Sequence, residues 1–284
     1  MGAVALVVRD LARSLDYYET RIGLRRLAQE GGRATLGVVD GGAERELLHL
    51  VEQPGAKPVA RGHAGLYHFA LLLPSRAALG RTLVHLAQSG TGLDGASDHG
   101  VSEALYLTDP DGHGIELYRD RPRAEWPYTA EGGLAMTLDP LDAEGLVAAG
   151  AGTAWQGLEA ETVMGHVHLH VAALAAAEQF YVDTVGFALQ QRFGAQADFV
   201  AAGGYHHHLG LNIWAGQGAP PPPEDHARLL WFEVVLPSAP ALDEVLGRLQ
   251  RRGIGAVAQE AGWFVRDPAG NGLRLRVASA AAAA

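Results

Sequence analysis

The chain has 284 residues, 48% of them hydrophobic, which is enough for one large domain or two of ordinary size with full cores. It has no cysteine, so disulfides, thiolate zinc sites, iron–sulfur clusters and a cysteine nucleophile are excluded, and any metal must rest on His, Asp or Glu. The formal charge of −10, from 32 acidic against 22 basic side chains with no basic run, leaves no footprint for nucleic acid, and no stretch reaches the ~18 apolar residues of a membrane span.

In chain order, AVALVVRDLARSLDYYETRIGL from Ala3 alternates as a strand, turns to helical spacing, and closes on an aromatic pair and a glycine. His49 falls roughly near the last strand of this first unit. YHFALLLPSRAALGRTLVHLAQSG from Tyr67 is a second strand and helix, and YLTDPDGHGIEL from Tyr106 is a strand pair about an Asp-Pro turn. A polar stretch from about Arg121 to Thr162 is long for a connection, although LDPLDAEGLVAAGA within it has helical spacing. HVHLHVAALAAAEQFYVDTVGF from His166 restores the strand and helix, and four consecutive prolines in GQGAPPPPEDHA forbid a regular ladder. LWFEVVLPSAPALDEVLGRLQRRG from Leu230 and FVRDPAGNGLRL from Phe264 complete the pattern, and the Ala-rich end is expected to fray.

These segments repeat. The stretch from Ala3 lies over that from His166, Tyr67 over Leu230, and Tyr106 over Phe264 with the Asp-Pro-x-Gly turn in register. The chain therefore reads as two homologous halves of two βαβββ modules each: residues 1–122, a linker with a short helix over 123–162, residues 163–277, and a disordered tail over 278–284.

The strand and DLxxSLxYY helix, the paired modules and the DPxGxxIE ending resemble the vicinal oxygen chelate superfamily over nearly the whole chain. More narrowly, GLYHFALLLP, DHGVSEALYLTDPDGHGIELYRDRP, GHVHLHV and GGYHHHLGLNIW resemble bacterial catechol 2,3-dioxygenases. The resemblance implies an α+β fold in which modules pair into open, cup-shaped mixed sheets with helices outside. Each module's first and last strands can then offer a metal ligand. Module 1 has Ala3 at the first position, module 2 has His68 and Glu116, module 3 has His166, and module 4 has Trp231 and Arg274. No half owns a full triad, so module 2 is expected to close with module 3, bringing His68, His166 and Glu116 together for Fe(II), with Mn(II) as the competing ion. Modules 1 and 4 would form a metal-free cup.

His168 and His170 share a strand face with His166, and only the repeat selects His166 among them. His85, His113 and His226 read as ordinary structural histidines. The resemblance also implies a His seven residues before a Tyr that lies ten before the carboxylate, which His99, Tyr106 and Glu116 reproduce. By the same resemblance His207 handles the proton beside dioxygen, with His206 and His208 as alternatives; strand alternation would set His207 on one face and its neighbours on the other.

The implied activity is extradiol cleavage of catechol or a substituted catechol. Its partners are a small aromatic diol and dioxygen, not nucleic acid or membrane; a homo-oligomer is compatible, and a cytoplasmic location is expected. A glyoxalase-type lyase or isomerase would want a fourth ligand near Gly210, Leu211 and Asn212, where no carboxylate stands. A metal-free binding protein would have to bury Glu116 without a cation, which is costly.

Overall fold

The computed structural model describes residues 1–278, so residues 279–284 of the Ala-rich end lie outside the described residues. Ala278 itself is held, its amide donating to the carbonyl of Leu236 at 2.9 Å. Module 1 comprises β1 (Val4–Val8), α1 (Leu11–Tyr17), β2 (Arg25–Glu30), β3 (Arg33–Asp40) and β4 (Ala43–Glu52). Module 2 comprises β5 (Gly65–Leu72), α2 (Arg76–Gln88), β6 (Gly95–Asp98), β7 (Ser102–Thr108) and β8 (Gly114–Asp120). The connecting stretch holds α3 (Ala143–Gly150). Module 3 follows as β9 (Val163–His170), α4 (Leu174–Glu178), β10 (Ala188–Phe193), β11 (Ala197–Ala201) and β12 (Leu209–Asn212). Module 4 is β13 (Arg228–Leu236), α5 (Ala239–Arg251), β14 (Val257–Gln259), β15 (Gly262–Arg266) and β16 (Gly272–Val277).

Local chemistry explains why the repeat folds alike. The Pro-Ser pair before α2 and α5 places Ser75 and Ser238 as N-caps, each accepting from the amide three residues on. Asp10 does the same for α1, whereas Ala173 cannot cap α4, which lasts only five residues. Both α1 and α4 run on into a wider π-helical turn, Tyr18–Ile22 and Gln179–Val185, and stop at a left-handed glycine, Gly23 (φ 91°) and Gly186 (φ 105°). Those turns bury Tyr18 and Tyr181, whose hydroxyls donate to Asp109 and Asp267 at 2.9 Å. Each Asp also takes two turn amides on its other oxygen, 2.8 Å each. The Asp-Pro turn of one module is thus tied to the helix of the preceding one, one of several contacts that join the two modules of each half.

Sheet pairing instead crosses between the halves. One eight-stranded sheet has the order β14-β15-β16-β13-β1-β4-β3-β2, and the other β10-β11-β12-β9-β5-β8-β7-β6. Modules 1 and 4 share the first and modules 2 and 3 the second, joined by their opening strands, which run antiparallel. Within each module the first and last strands are parallel and the others antiparallel. A buried core that includes Leu6, Leu36, Phe69, Leu117, Leu169 and Phe232 fills the space between sheets and helices. Among the described residues no helix is long and apolar enough to cross a membrane.

Candidate metal centre

The register of the second sheet builds one cluster from three strands. On β5, Ala70 lies opposite Glu116 of β8 on one side and His166 of β9 on the other, while His68, two residues earlier, shares its face. Ala70 contributes only a methyl, so the space above it is left to its neighbours. His166 Nε2 lies 3.1 Å and His68 Nε2 3.0 Å from the same Glu116 oxygen, Oε2. All three side chains are buried, and among the described residues they form the one group of three or more donors placed to hold a metal ion.

The donor chemistry fits a cation. His68 Nε2 is buried 3.0 Å from Glu116 Oε2 without the geometry of a hydrogen bond, so the two atoms converge on a point that no protein group fills. Burial would raise the Glu116 carboxyl, but the imidazoles of His166 and His68 outweigh it and hold it well below the usual carboxylate range. Burial lowers the His68 imidazole, with Glu116 partly opposing. The result is an ionised carboxylate beside an imidazole biased toward neutrality, the forms in which these groups ligate metals.

Position 210 distinguishes three donors from four. In module 2 the last-strand donor, Glu116, stands opposite the residue two beyond His68; in module 3 the corresponding partner of His168 is Gly210. A Cβ at Gly210 would meet the His168 ring at 2.7 Å, so that imidazole occupies the space a fourth ligand would need. His168 is itself buried, with Nε2 unpartnered, and burial pushes its pKa well below the ordinary value.

The other cup shows the same four positions with different contents. Ala5 lies opposite both His49 and Trp231, as Ala70 lies opposite Glu116 and His166, so His49 occupies the last-strand donor position. Ala3 and Trp231 stand at the first-strand positions. Arg274 lies 3.7 Å over the Trp231 ring, and the His49 ring is 5.2 Å from that indole. A cation–π stack of Arg274 on Trp231 occupies this cup.

Around the donors lies a cavity of about 310 Å³. Tyr106 lines it; its ring is 5.7 Å from that of His68, and its oxygen is 2.6 Å from His99 Nε2. His99 Nδ1 faces the Thr137 carbonyl at 2.9 Å, so Nδ1 carries the proton and Nε2 accepts from the phenol. Burial, then the charge of Glu116, raises the Tyr106 phenol well above its ordinary value, so it stays protonated. His207 enters from module 3, its ring 4.2 Å from that of His166.

Strand alternation does not govern the three consecutive histidines. They lie in a bend before β12, so the rings of His206 and His207 touch, with Nδ1 atoms 2.7 Å apart. His208 turns away and accepts from the Ala202 amide at 3.2 Å. His170 bonds Asn212, His85 stacks on Trp155, His113 donates to the Val7 carbonyl, His226 lies beside Asp225, and His63 faces the Arg61 carbonyl, all apart from the three donors. Sequence reasoning missed the walls, Met136, Phe193, Phe199 and Trp214. Met136 and Trp214 come from connecting segments and Phe193 from a strand end, where no periodicity flags them, whereas Phe199 lies mid-strand on β11, too short a strand for its alternation to single out a wall residue.

Two sheets of paired βαβββ modules enclosing a two-His, one-carboxylate cup define a class, and comparison with known proteins agrees. The chain belongs to the glyoxalase/bleomycin resistance protein/dioxygenase superfamily, whose family description matches residues 1–117. It is 44% identical over 270 residues to a Bacillus subtilis (strain 168) protein named catechol-2,3-dioxygenase, covering 94% of this chain and 93% of that one. In fold it is similar to a putative dioxygenase from Bacillus subtilis, with a TM-score of 0.65 at 13% identity, covering 98% of this chain and 85% of that one. It is also similar to glyoxalase I from Zea mays, with a TM-score of 0.59 at 16% identity and coverage of 97% and 91%.

Proposed function

We propose that this chain is an extradiol dioxygenase that opens catechol or a substituted catechol beside its diol, consuming O2, with Fe(II) held by His68, His166 and Glu116. The observation that carries the reading is the pairing of a three-donor cup with Tyr106–His99 on one side and His207 on the other, in a cavity walled by apolar side chains. The catechol 2,3-dioxygenase relative supports the same substrate class. When bound, the ion would supply a Lewis-acidic positive centre that eases ionisation of the diol and activates dioxygen.

The remaining work falls to the chain. Tyr106 and His99 handle the first proton: the phenol oxygen takes it from a substrate hydroxyl while its own proton passes to His99 Nε2. Charge then settles on an imidazole whose Nδ1–H is already held by Thr137. His207, on the module 3 side, would take up a proton at Nε2 and donate it to an oxygen in the cavity. Met136, Phe193, Phe199 and Trp214 exclude water and hold the aromatic ring.

Anaerobic reconstitution with Fe(II), and separately with Mn(II), followed by catechol and air, tests the proposal. A yellow ring-fission product with consumption of one O2 per catechol is expected. No product with either metal, together with metal-dependent turnover of a hemithioacetal, would replace it with the lyase reading.

A further inference from the structure

Behind His207, away from the cavity, a line of polar groups runs toward solvent. His207 Nδ1 is 2.7 Å from His206 Nδ1, and His206 Nε2 is 2.9 Å from Asp120 Oδ1. The Tyr205 hydroxyl donates to the same carboxylate oxygen at 3.1 Å, and the Tyr118 and Tyr205 hydroxyls are 2.8 Å apart. His206 is wholly buried, set edge-on to Trp126 and Tyr118 with ring centroids 5.3 and 6.2 Å away. The Asp120 side chain is 27% exposed, so the line ends where water can reach it.

With one hydrogen on each imidazole, donor and acceptor rules give a single arrangement of protons along this line. An ionised carboxylate only accepts, so His206 carries a hydrogen on Nε2. With its one hydrogen there, His206 presents a bare Nδ1. Two imidazole nitrogens 2.7 Å apart form a hydrogen bond only with one proton between them, so that proton belongs to His207 Nδ1. His207 Nε2 is left bare, as the ring nitrogen available to the cavity that His207 lines.

We propose that Asp120 and His206 are positioning residues that hold His207 as its Nδ1–H tautomer, with Nε2 bare on the cavity side. The use of that bare nitrogen in turnover rests on the dioxygenase reading, but the tautomer does not.

The test is nitrogen-15 NMR of histidine tautomers in the full chain, metal-free and loaded with diamagnetic Zn(II), on the parent, Asp120→Ala and His206→Phe. Phe keeps an aromatic ring without nitrogens and so interrupts the line, at the cost of a larger ring in a buried place, and Asp120→Ala at the partly exposed end carries the test if that variant folds poorly. The parent should show Nδ1–H at His207 and Nε2–H at His206, and both variants should shift His207 toward Nε2–H. In Fe(II)-loaded protein, kcat should fall about 10- to 100-fold, in the range of lost outer-sphere partners, with KM within about twofold of the parent and a larger solvent deuterium effect. Nε2–H at His207 in the parent, or an unchanged tautomer in both variants, would overturn the proposal. A parent with the assigned tautomer that leaves catechol intact would overturn the dioxygenase reading alone.

Discussion

His166 Nε2 and Glu116 Oε2 lie 3.1 Å apart although the two residues belong to different halves of the chain and to different modules. Their meeting depends on β5 pairing antiparallel with β9, which sets Ala70 between them. With His68 directed at the same oxygen, each donor is needed to complete the set. His68→Ala, Glu116→Ala and His166→Ala should each weaken metal binding by more than the roughly 10- to 100-fold that loss of an outer-sphere partner costs. Metal content after gel filtration measures this, and a variant that keeps one ion per chain would remove its residue from the proposed triad.

Tyr106→Phe and His99→Ala should leave metal content near the parent value and lower catechol turnover by about 10²- to 10⁴-fold, the usual scale of a lost acid–base partner. Tyr106→Phe removes one hydroxyl, the one 2.6 Å from His99, so a folding defect is a poor account of lost activity. Turnover per bound iron at saturating oxygen is the deciding measurement. Parent-like rates in both variants would sink the assigned roles.

How much of this was legible in the sequence follows from where regularity lies. The repeat put His68 and His166 in one slot and Glu116 in the matching last-strand slot, and the absence of a complete triad in either half required modules 2 and 3 to meet. His49 was placed only roughly. The β3–β4 pairing shifts register between Leu36 and Gly37, and strand pairing was needed to show that His49 stands opposite Ala5 as Glu116 stands opposite Ala70. Period-2 reasoning failed at His206–His208 because a bend, not a strand, carries them. Thr137 and Met136 were invisible because they lie in the connecting stretch, where nothing in the local pattern shows that a carbonyl there will orient His99.

His208 supplies a pH prediction outside the cup. Burial, then the nearby amino terminus and His206, push its pKa from 6.5 down to about 4. The unfolded chain takes up a proton near pH 6.5 and the folded chain does not, so this group's contribution is present above pH 6.5 and is lost as pH falls toward about 4. His208→Gln should remove up to about one proton from the slope of unfolding free energy against pH in that window. Denaturant titrations of metal-free protein at several pH values give the slope, and an identical slope in the variant would show that His208 does not contribute.

The last prediction concerns position 210. If the cup is limited to three protein donors because the His168 ring fills the fourth place, making room there should create a donor site. Gly210→Glu alone brings a Cβ to within 2.7 Å of that ring, a clash with a buried side chain, and should destabilise the fold by about 1–3 kcal/mol. His168→Ala removes the ring, and the double variant His168→Ala with Gly210→Glu should recover much of that stability. It should also hold its metal more tightly, with release to a chelator slowed at least about tenfold, while catechol turnover falls because a position required by diol or dioxygen is taken. Melting temperature, chelator-release half-time and turnover together separate the effects. A double variant that releases metal at the parent rate and still cleaves catechol would show that residue 210 does not face the ion, and the argument for a three-donor cup would lose its main structural support.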